Sequence, residues 1–140
     1  MRYEIAVPTR EEEEEIDDGL MVYNIKQVPP AQEDPFIKLC RCARTADGKL
    51  IGGVLACSAL WNILQIVTVW VEDAYRGEGV ASGLLAEVET QAREMGCYMA
   101  QLDTFDFQAR GFYEKHGYQV FGTLEDVPKG HRHYYMYKRL

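Results

Sequence analysis

The sequence predicts a mixed α/β (α+β) fold, with one mostly antiparallel central sheet of about six to seven strands flanked by about four helices. Three observations carry this expectation. Short strand-like runs recur along most of the chain, two of them face each other across the turn Asp47-Gly48, and a third runs through a glycine loop straight into an amphipathic helix.

Met1 to Val7 alternates apolar and polar residues as a first strand would, and Pro8 closes it. Thr9 followed by Glu12 spells a capping box, so a helix starts there, and the run Glu11 to Glu15 lays negative charge against its positive end. Ile16, Leu20 and Tyr23 continue at helical spacing until Pro29-Pro30 stop the segment. Ala31 to Asp34 allows a short second helical stretch.

Phe36 to Ala46 is strand-like, and Leu50 to Leu60 returns from the hairpin, with Gly52-Gly53 marking a bulge or a close backbone approach. After a turn at Trp61-Asn62, Ile63 to Val71 is apolar on both faces, the pattern of a central strand. Val80, Leu84, Val88, Ala92 and Met95 recur at about one helical turn, and Gly96 stands where a C-cap glycine belongs. Cys97 to Thr104 then reads as a strand, Phe107 to His116 as a short helix ended by Gly117, and Tyr118 to Leu124 as a strand. Val127 to Gly130 forms a loop, and His131 to Arg139 closes the sheet.

A chain of 140 residues can bury its own core, and no repeat or linker divides it, so the expectation is one domain over residues 1–140. The net charge of −7 argues against a nucleic-acid or anionic-membrane binder and suits a small cationic visitor, although the acidic excess gathers at Glu11 to Glu15. Cys40, Cys42, Cys57 and Cys97 lack the paired spacing of a zinc site, and neither a secretory pattern nor a twenty-residue apolar run is present. The expectation is therefore a cytoplasmic protein with reduced thiols and no metal. Cys40 and Cys42 would share one face of a strand, which leaves a redox or metal role as the alternative.

The stretch from Val67 to Ser82 is the most informative. The first amides of a helix have no intrahelical acceptor and carry partial positive charge, so an anion fits there. Gly77 and Gly79 remove the Cβ atoms that would hold a diphosphate away, and Arg76 adds a planar cationic fork. A plain tight turn is the bland alternative. The loop lacks the GK[ST] ending of a P-loop and the full GxGxxG of a dinucleotide site.

Arg76-Gly77-Glu78-Gly79-Val80-Ala81 fits the Q/R-x-x-G-x-G/A signature, and Phe112-Tyr113-Glu114-Lys115-His116-Gly117-Tyr118 is similar to the FYEKxGF/Y segment that follows it downstream. In both motifs and in element order the chain resembles the GNAT acyltransferase superfamily, whose members use acetyl-CoA or another acyl-CoA. The resemblance covers nearly the whole chain and implies the acyl-CoA N-acyltransferase fold. It implies an N-acetyltransferase carrying acetyl from acetyl-CoA to a primary amine of a small acceptor, by direct transfer in a ternary complex. It also implies that the backbones of Val69, Trp70 and Val71 pair with the pantetheine arm, one of their amides polarising the thioester. The amides from Gly77 through Glu78, Gly79, Val80 and Ala81 to Ser82, with Arg76, would hold the diphosphate. Tyr113 matches the family's general acid toward the departing thiolate, although an aromatic pair on a helix is as commonly core. Asp106 stands where many members carry Asn, and an ionised Asp can only accept.

The base is left open. Glu72 and Asp103 stand at strand ends, each more simply read as a solvated or capping carboxylate, and loss of the proton through water serves equally. His116 reads as a favourable charge at a helix end, and His131 and His133 as outer-strand residues without catalytic work. Tyr23, Asn24 and Trp61 are candidates for the acceptor pocket, Tyr23 and Trp61 equally for core. Small members of the superfamily often pair, which admits a homodimer. A catalytically inactive acyl-CoA-binding sensor or interaction module with the same fold is the alternative function.

Overall fold

The structure, a computed structural model, describes all residues from Met1 to Leu140. It contains two compact units, Met1–Ala31 and Gln32–Leu140.

In the first unit, helix α1 (Arg10–Gln27) begins at the expected capping box. The Glu12 amide donates to Thr9 Oγ1 and the Thr9 amide to Glu12 Oε1, each at 3.1 Å. Two otherwise orphaned donors are thereby satisfied, a motif that stabilises a helix by about 1 kcal/mol. Met1 to Val7 forms no strand, contrary to its alternation. A strand needs a ladder partner for its backbone groups, and no strand pairs with this segment. The second helical stretch expected at Ala31 to Asp34 is a run of bends.

In the second unit a seven-stranded sheet has the order β1-β3-β4-β5-β7-β6, with β2 also on β3. Its strands are β1 (Phe36–Lys38), β2 (Arg41–Arg44), β3 (Leu50–Ala59), β4 (Ile63–Val71), β5 (Met99–Phe105), β6 (Gln119–Glu125) and β7 (Arg132–Arg139). The single expected strand over Phe36 to Ala46 is interrupted at Leu39-Cys40, yet both halves keep nearly one register against β3. Within the break the Leu39 amide still donates to the Ala56 carbonyl at 2.8 Å, and its side chain is completely buried. All pairings are antiparallel except β4 with β5.

Two α-helices belong to this unit, α2 (Val80–Glu94) and α3 (Arg110–Lys115), with one 3-10 turn at Asp73–Tyr75. The chain therefore has three α-helices where about four were expected. Leu84, Leu85, Val88 and Ala92 of α2 bury against Val54, Leu64, Ile66, Ala100, Leu102 and Met136 of the sheet, forming one core that fixes the strand-to-helix junction. Inside it Glu89 is 4% exposed and accepts from Tyr118 Oη at 2.8 Å and Lys138 Nζ at 2.7 Å, so the buried carboxylate is paired. Burial, and then the Glu89 charge, push the Tyr118 phenol far above its ordinary range. Gly52 answers to close approach: a Cβ there would lie 3.0 Å from the Trp70 carbonyl oxygen across the ladder.

Candidate active site

The site begins where β4 leaves β5. Only Ile63 to Gln65 pair with Met99 to Gln101, after which the two strands part. At that point the β3–β4 register slips, because Leu55 faces Thr68 while Ala56 faces Ile66, leaving Val67 as the extra residue of a bulge. From Ile66 onward β4 has β3 on one edge and nothing on the other.

Register decides which backbone groups that free edge offers. Glu72 donates its amide to the Ile51 carbonyl at 2.8 Å, which makes 72/51 a hydrogen-bonded pair and 71/52 a non-hydrogen-bonded one. Counting back by twos, Trp70 spends its groups on Gly53, while Val69 and Val71 turn theirs toward the open edge. Two of the three strand residues are thus available to a ligand, and Arg76 Nε donates to the Val71 carbonyl at 3.2 Å.

Beyond β4 the chain turns through Gly77 (φ 80°) and Gly79 (φ 81°), both left-handed, into α2. A Cβ on either would meet nothing within 4 Å. Their glycine identity is therefore set by backbone conformation and by the space in front of the loop. Gly79 is the N-cap and no side chain caps the helix, so its first amides remain free for an anion. Arg76 is held by Asp73 at 2.9 Å and by the Val71 carbonyl.

A cleft of about 620 Å³ lies in front of this loop, lined by Val69, Trp70, Val71 and the loop, and on the far side by Phe107, Gln108, Ala109, Phe112 and Tyr113. A second cavity of about 220 Å³ fills the gap between the parted strands. It is lined by Ile66 to Val69 on one side and by Leu102, Asp103 and Thr104 on the other. The two cavities share Val69, Gln108, Ala109 and Tyr113.

Tyr113 on α3 is 7% exposed, packed edge-on against Phe112 and Tyr118 at 5.2 and 5.9 Å. Burial, and then the negative charge of Asp103, raise its phenol above the ordinary range, so it stays protonated at neutral pH. Asp106 points elsewhere. Its carboxylate accepts from His131 Nδ1 at 2.9 Å and from the Arg132 amide at 3.0 Å, pinning the turn after β5 to the start of β7. Partial desolvation opposes those bonds, yet His131 and the Arg132 amide prevail and lower its pKa. The amide side chain in the cleft is Gln108, two positions on, whose Oε1 accepts from the Phe105 amide at 2.7 Å.

Of the sequence-predicted residues, Val69, Trp70, Val71, Arg76, Gly77, Gly79, Val80, Ala81, Ser82 and Tyr113 line one cleft. Glu78 does not line it. Tyr23 and Asn24 lie on α1 in the first unit. Trp61 sits in the turn before β4, at the opposite end of that strand from Val71, and lines neither cavity. Glu72 is tied to Lys49 at 3.2 Å outside the cleft lining. Cys40 Sγ donates to the Ala56 carbonyl while Cys42 is exposed, and no trio of His, Cys, Asp or Glu stands together as a metal site.

Three features escaped sequence reasoning. His116 Nε2 lies 3.0 Å from Ser82 Oγ in the glycine loop's helix, His133 Nε2 lies 2.7 Å from Asp103 Oδ2, and Gln108 enters both cavities. The two histidine contacts join positions about thirty residues apart, so no local spacing announces them.

Residues 4–118 match the model of the acetyltransferase (GNAT) family. A blasticidin-S acetyltransferase of Streptomyces morookaense is 33% identical over 117 residues, 83% of this chain and 85% of that protein. An acetyltransferase of Agrobacterium fabrum is 32% identical over 135 residues, 95% of this chain and 94% of that protein. Among solved structures, an acetyltransferase from Bacillus cereus ATCC 14579 is 37% identical with a TM-score of 0.92, covering 99% of this chain and 98% of that one. The chain belongs to the GNAT acetyltransferase family, with its acyl-CoA N-acyltransferase fold. It is an acyl-CoA-dependent N-acetyltransferase.

Proposed function

We propose that the protein, acting as one domain over residues 1–140, carries acetyl from acetyl-CoA directly to a primary amine of a small cationic acceptor in a ternary complex. The observation that supports this most is that the cleft before the first amides of α2 and the unpaired edge of β4 shares Val69, Gln108, Ala109 and Tyr113 with the cavity in the gap between β4 and β5. Acetyl-CoA supplies an activated thioester.

Each part of the opening then has a task. The amides from Gly77 to Ser82 and the Arg76 guanidinium hold the diphosphate. Val69 and Val71 pair with the pantetheine amides as an added strand would, and one of their N–H groups polarises the thioester carbonyl. Tyr113 donates its O–H to the departing sulfur. A reference phenol is a weaker acid than a reference thiol by about 1.5 pKa units, about 2 kcal/mol, and the environment of Tyr113 raises its pKa further. Tyr113 therefore stabilises the thiolate by hydrogen bonding and keeps its proton. Holding thioester and amine in line supplies much of the rate.

The blasticidin-S acetyltransferase at 33% identity supports a small amine-bearing acceptor, with blasticidin S the first compound to try. The test is release of CoA thiol across an amine panel, with Arg76→Glu weakening acetyl-CoA binding. A wild type that binds acetyl-CoA yet acylates no amine would replace this function with that of an acyl-CoA sensor.

A further inference from the structure

Each unit of the chain carries an apolar surface without a cover. In the first unit no residue of α1 is buried, and its stripe of Ile16, Leu20 and Tyr23 is more than half exposed. So are Tyr3, Ile5 and Val7, the apolar side of the alternating segment ahead of it. In the second unit Val54, Ala56 and Ser58 of β3 are buried on the core side, so Leu55, Cys57 and Ala59 stand on the opposite face. The register puts Phe36 of β1 and Cys42 of β2 on that same face, where Phe36 and Leu55 are more than half exposed. The rim of this face has unpaired backbone. Because the Leu39 amide donates to the Ala56 carbonyl, alternation turns the groups of Lys38 and Cys42 away from β3, and β1 and β2 have no strand on that side.

We propose that the chain forms a homodimer by exchanging residues 1–28. Met1 to Val7 of each copy adds a strand to the β1–β2 edge of the other, and α1 lies across the outer face beside it. Pattern, length and charge all select this occupant. The exposed alternation of Met1 to Val7 is that of a strand with one face to bury, and its seven residues equal those of β1 and β2 together. The helix carries seven carboxylates, Glu11 to Glu15 with Asp17 and Asp18, against Arg10 and Lys26. The edge from Phe36 to Arg44 carries Lys38, Arg41 and Arg44 and no carboxylate, so the two attract. A stable interface takes about 20–30 residues a side, and a reciprocal exchange supplies that from the two arms alone.

The connection between the units favours exchange over closure on the same chain. Pro29-Pro30 fixes φ at two successive residues, and Gln32 just beyond is anchored, its Nε2 donating to the Ser58 carbonyl at 2.9 Å and its Oε1 accepting from Ser58 Oγ at 2.7 Å. A short, stiff hinge of this kind is the usual setting for element swapping, which closes with twofold symmetry. Trp70, opposite Gly53, stands on the covered face and also lines the active-site cleft, so an exchanged α1 borders the cleft of the other copy.

The experiment uses the full chain in isotopically light and heavy forms, mixed in urea, refolded together and weighed by light scattering across a range of concentrations. The mass of two chains is expected. A carbodiimide then joins carboxylates to lysines in contact, and Lys38 should link to the carboxylates of α1 in mixed light–heavy pairs as often as in uniform ones. Leu20→Glu places a charge against the apolar face and should raise the dimer dissociation constant about 100-fold or more. Since α1 has no buried residue, that variant keeps its core, which near-UV circular dichroism checks. A single-chain mass at every concentration, links confined to uniform pairs, a dimer whose links join other surfaces, or an unchanged dissociation constant in Leu20→Glu each overturns the exchange.

Discussion

Replacing Gly79 by Ala separates backbone strain from ligand binding, because the structure contains its own control. Gly79 and Gly48 both lie in the left-handed region, at φ 81° and 90°, and a Cβ on either meets no protein atom within 4 Å. Alanine at either position pays the same conformational penalty, about 1–2 kcal/mol. Only Gly79 faces the cleft at the start of α2, whereas Gly48 closes the hairpin between β2 and β3. If the amides of that helix hold a diphosphate, a Cβ at Gly79 displaces at least one hydrogen bond to a charged oxygen. Such a bond contributes about 1.5–3 kcal/mol, so the Kd for CoA should rise roughly 10- to 150-fold. Urea unfolding should show both variants destabilised alike, and calorimetric titration with CoA should show only Gly79→Ala weakened. Equal CoA affinity in the two variants would refute the diphosphate site.

Further outcomes follow from the same geometry. Tyr113→Phe should lower kcat about 10- to 100-fold, the worth of one hydrogen bond to a charged sulfur, with the Kd for acetyl-CoA within twofold of wild type by titration. Glu89→Ala leaves the buried Tyr118 hydroxyl and the partly buried Lys138 ammonium without their carboxylate and should cost about 3 kcal/mol in denaturant unfolding; a loss below about 1 kcal/mol would contradict the buried pairing. The folded-state pKa of Asp106 is depressed, so its stabilisation is present above the unfolded carboxylate value and lost as pH falls through the folded one. The stability gap between wild type and Asp106→Asn should therefore hold from neutral pH down to about 4 and close below it. A gap that widens in acid would reverse the sign.

Local chemistry made much of the fold legible. The capping box at Thr9 and Glu12, the hairpin at Asp47-Gly48 and the bounds of Ile63 to Val71 each rest on short-range sterics, hydrogen bonding or burial, and the structure has all three where expected. Met1 to Val7 failed because alternation shows that a segment can be a strand, not that a neighbour exists for it. The parting of β4 from β5 was hidden for the same reason: it depends on the bulge at Val67 and on a parallel pairing between strands more than thirty residues apart. In the site, the glycine loop and Tyr113 were visible because adjacent residues carry their chemistry. Asp103 with His133, and Ser82 with His116, become pairs only when the register is known. Trp61 shows the converse, since an aromatic beside a central strand looks suited to a pocket until the fold puts it at the wrong end.

The most direct measurement mixes the purified chain, acetyl-CoA and an amine panel that includes blasticidin S, then follows CoA thiol and the acceptor mass together. One acetyl group gained by an amine for each thiol released, lost in step with Gly79→Ala at limiting acetyl-CoA, is the expected result. Saturable binding of acetyl-CoA with no acetylated amine anywhere in the panel would contradict direct transfer at this site.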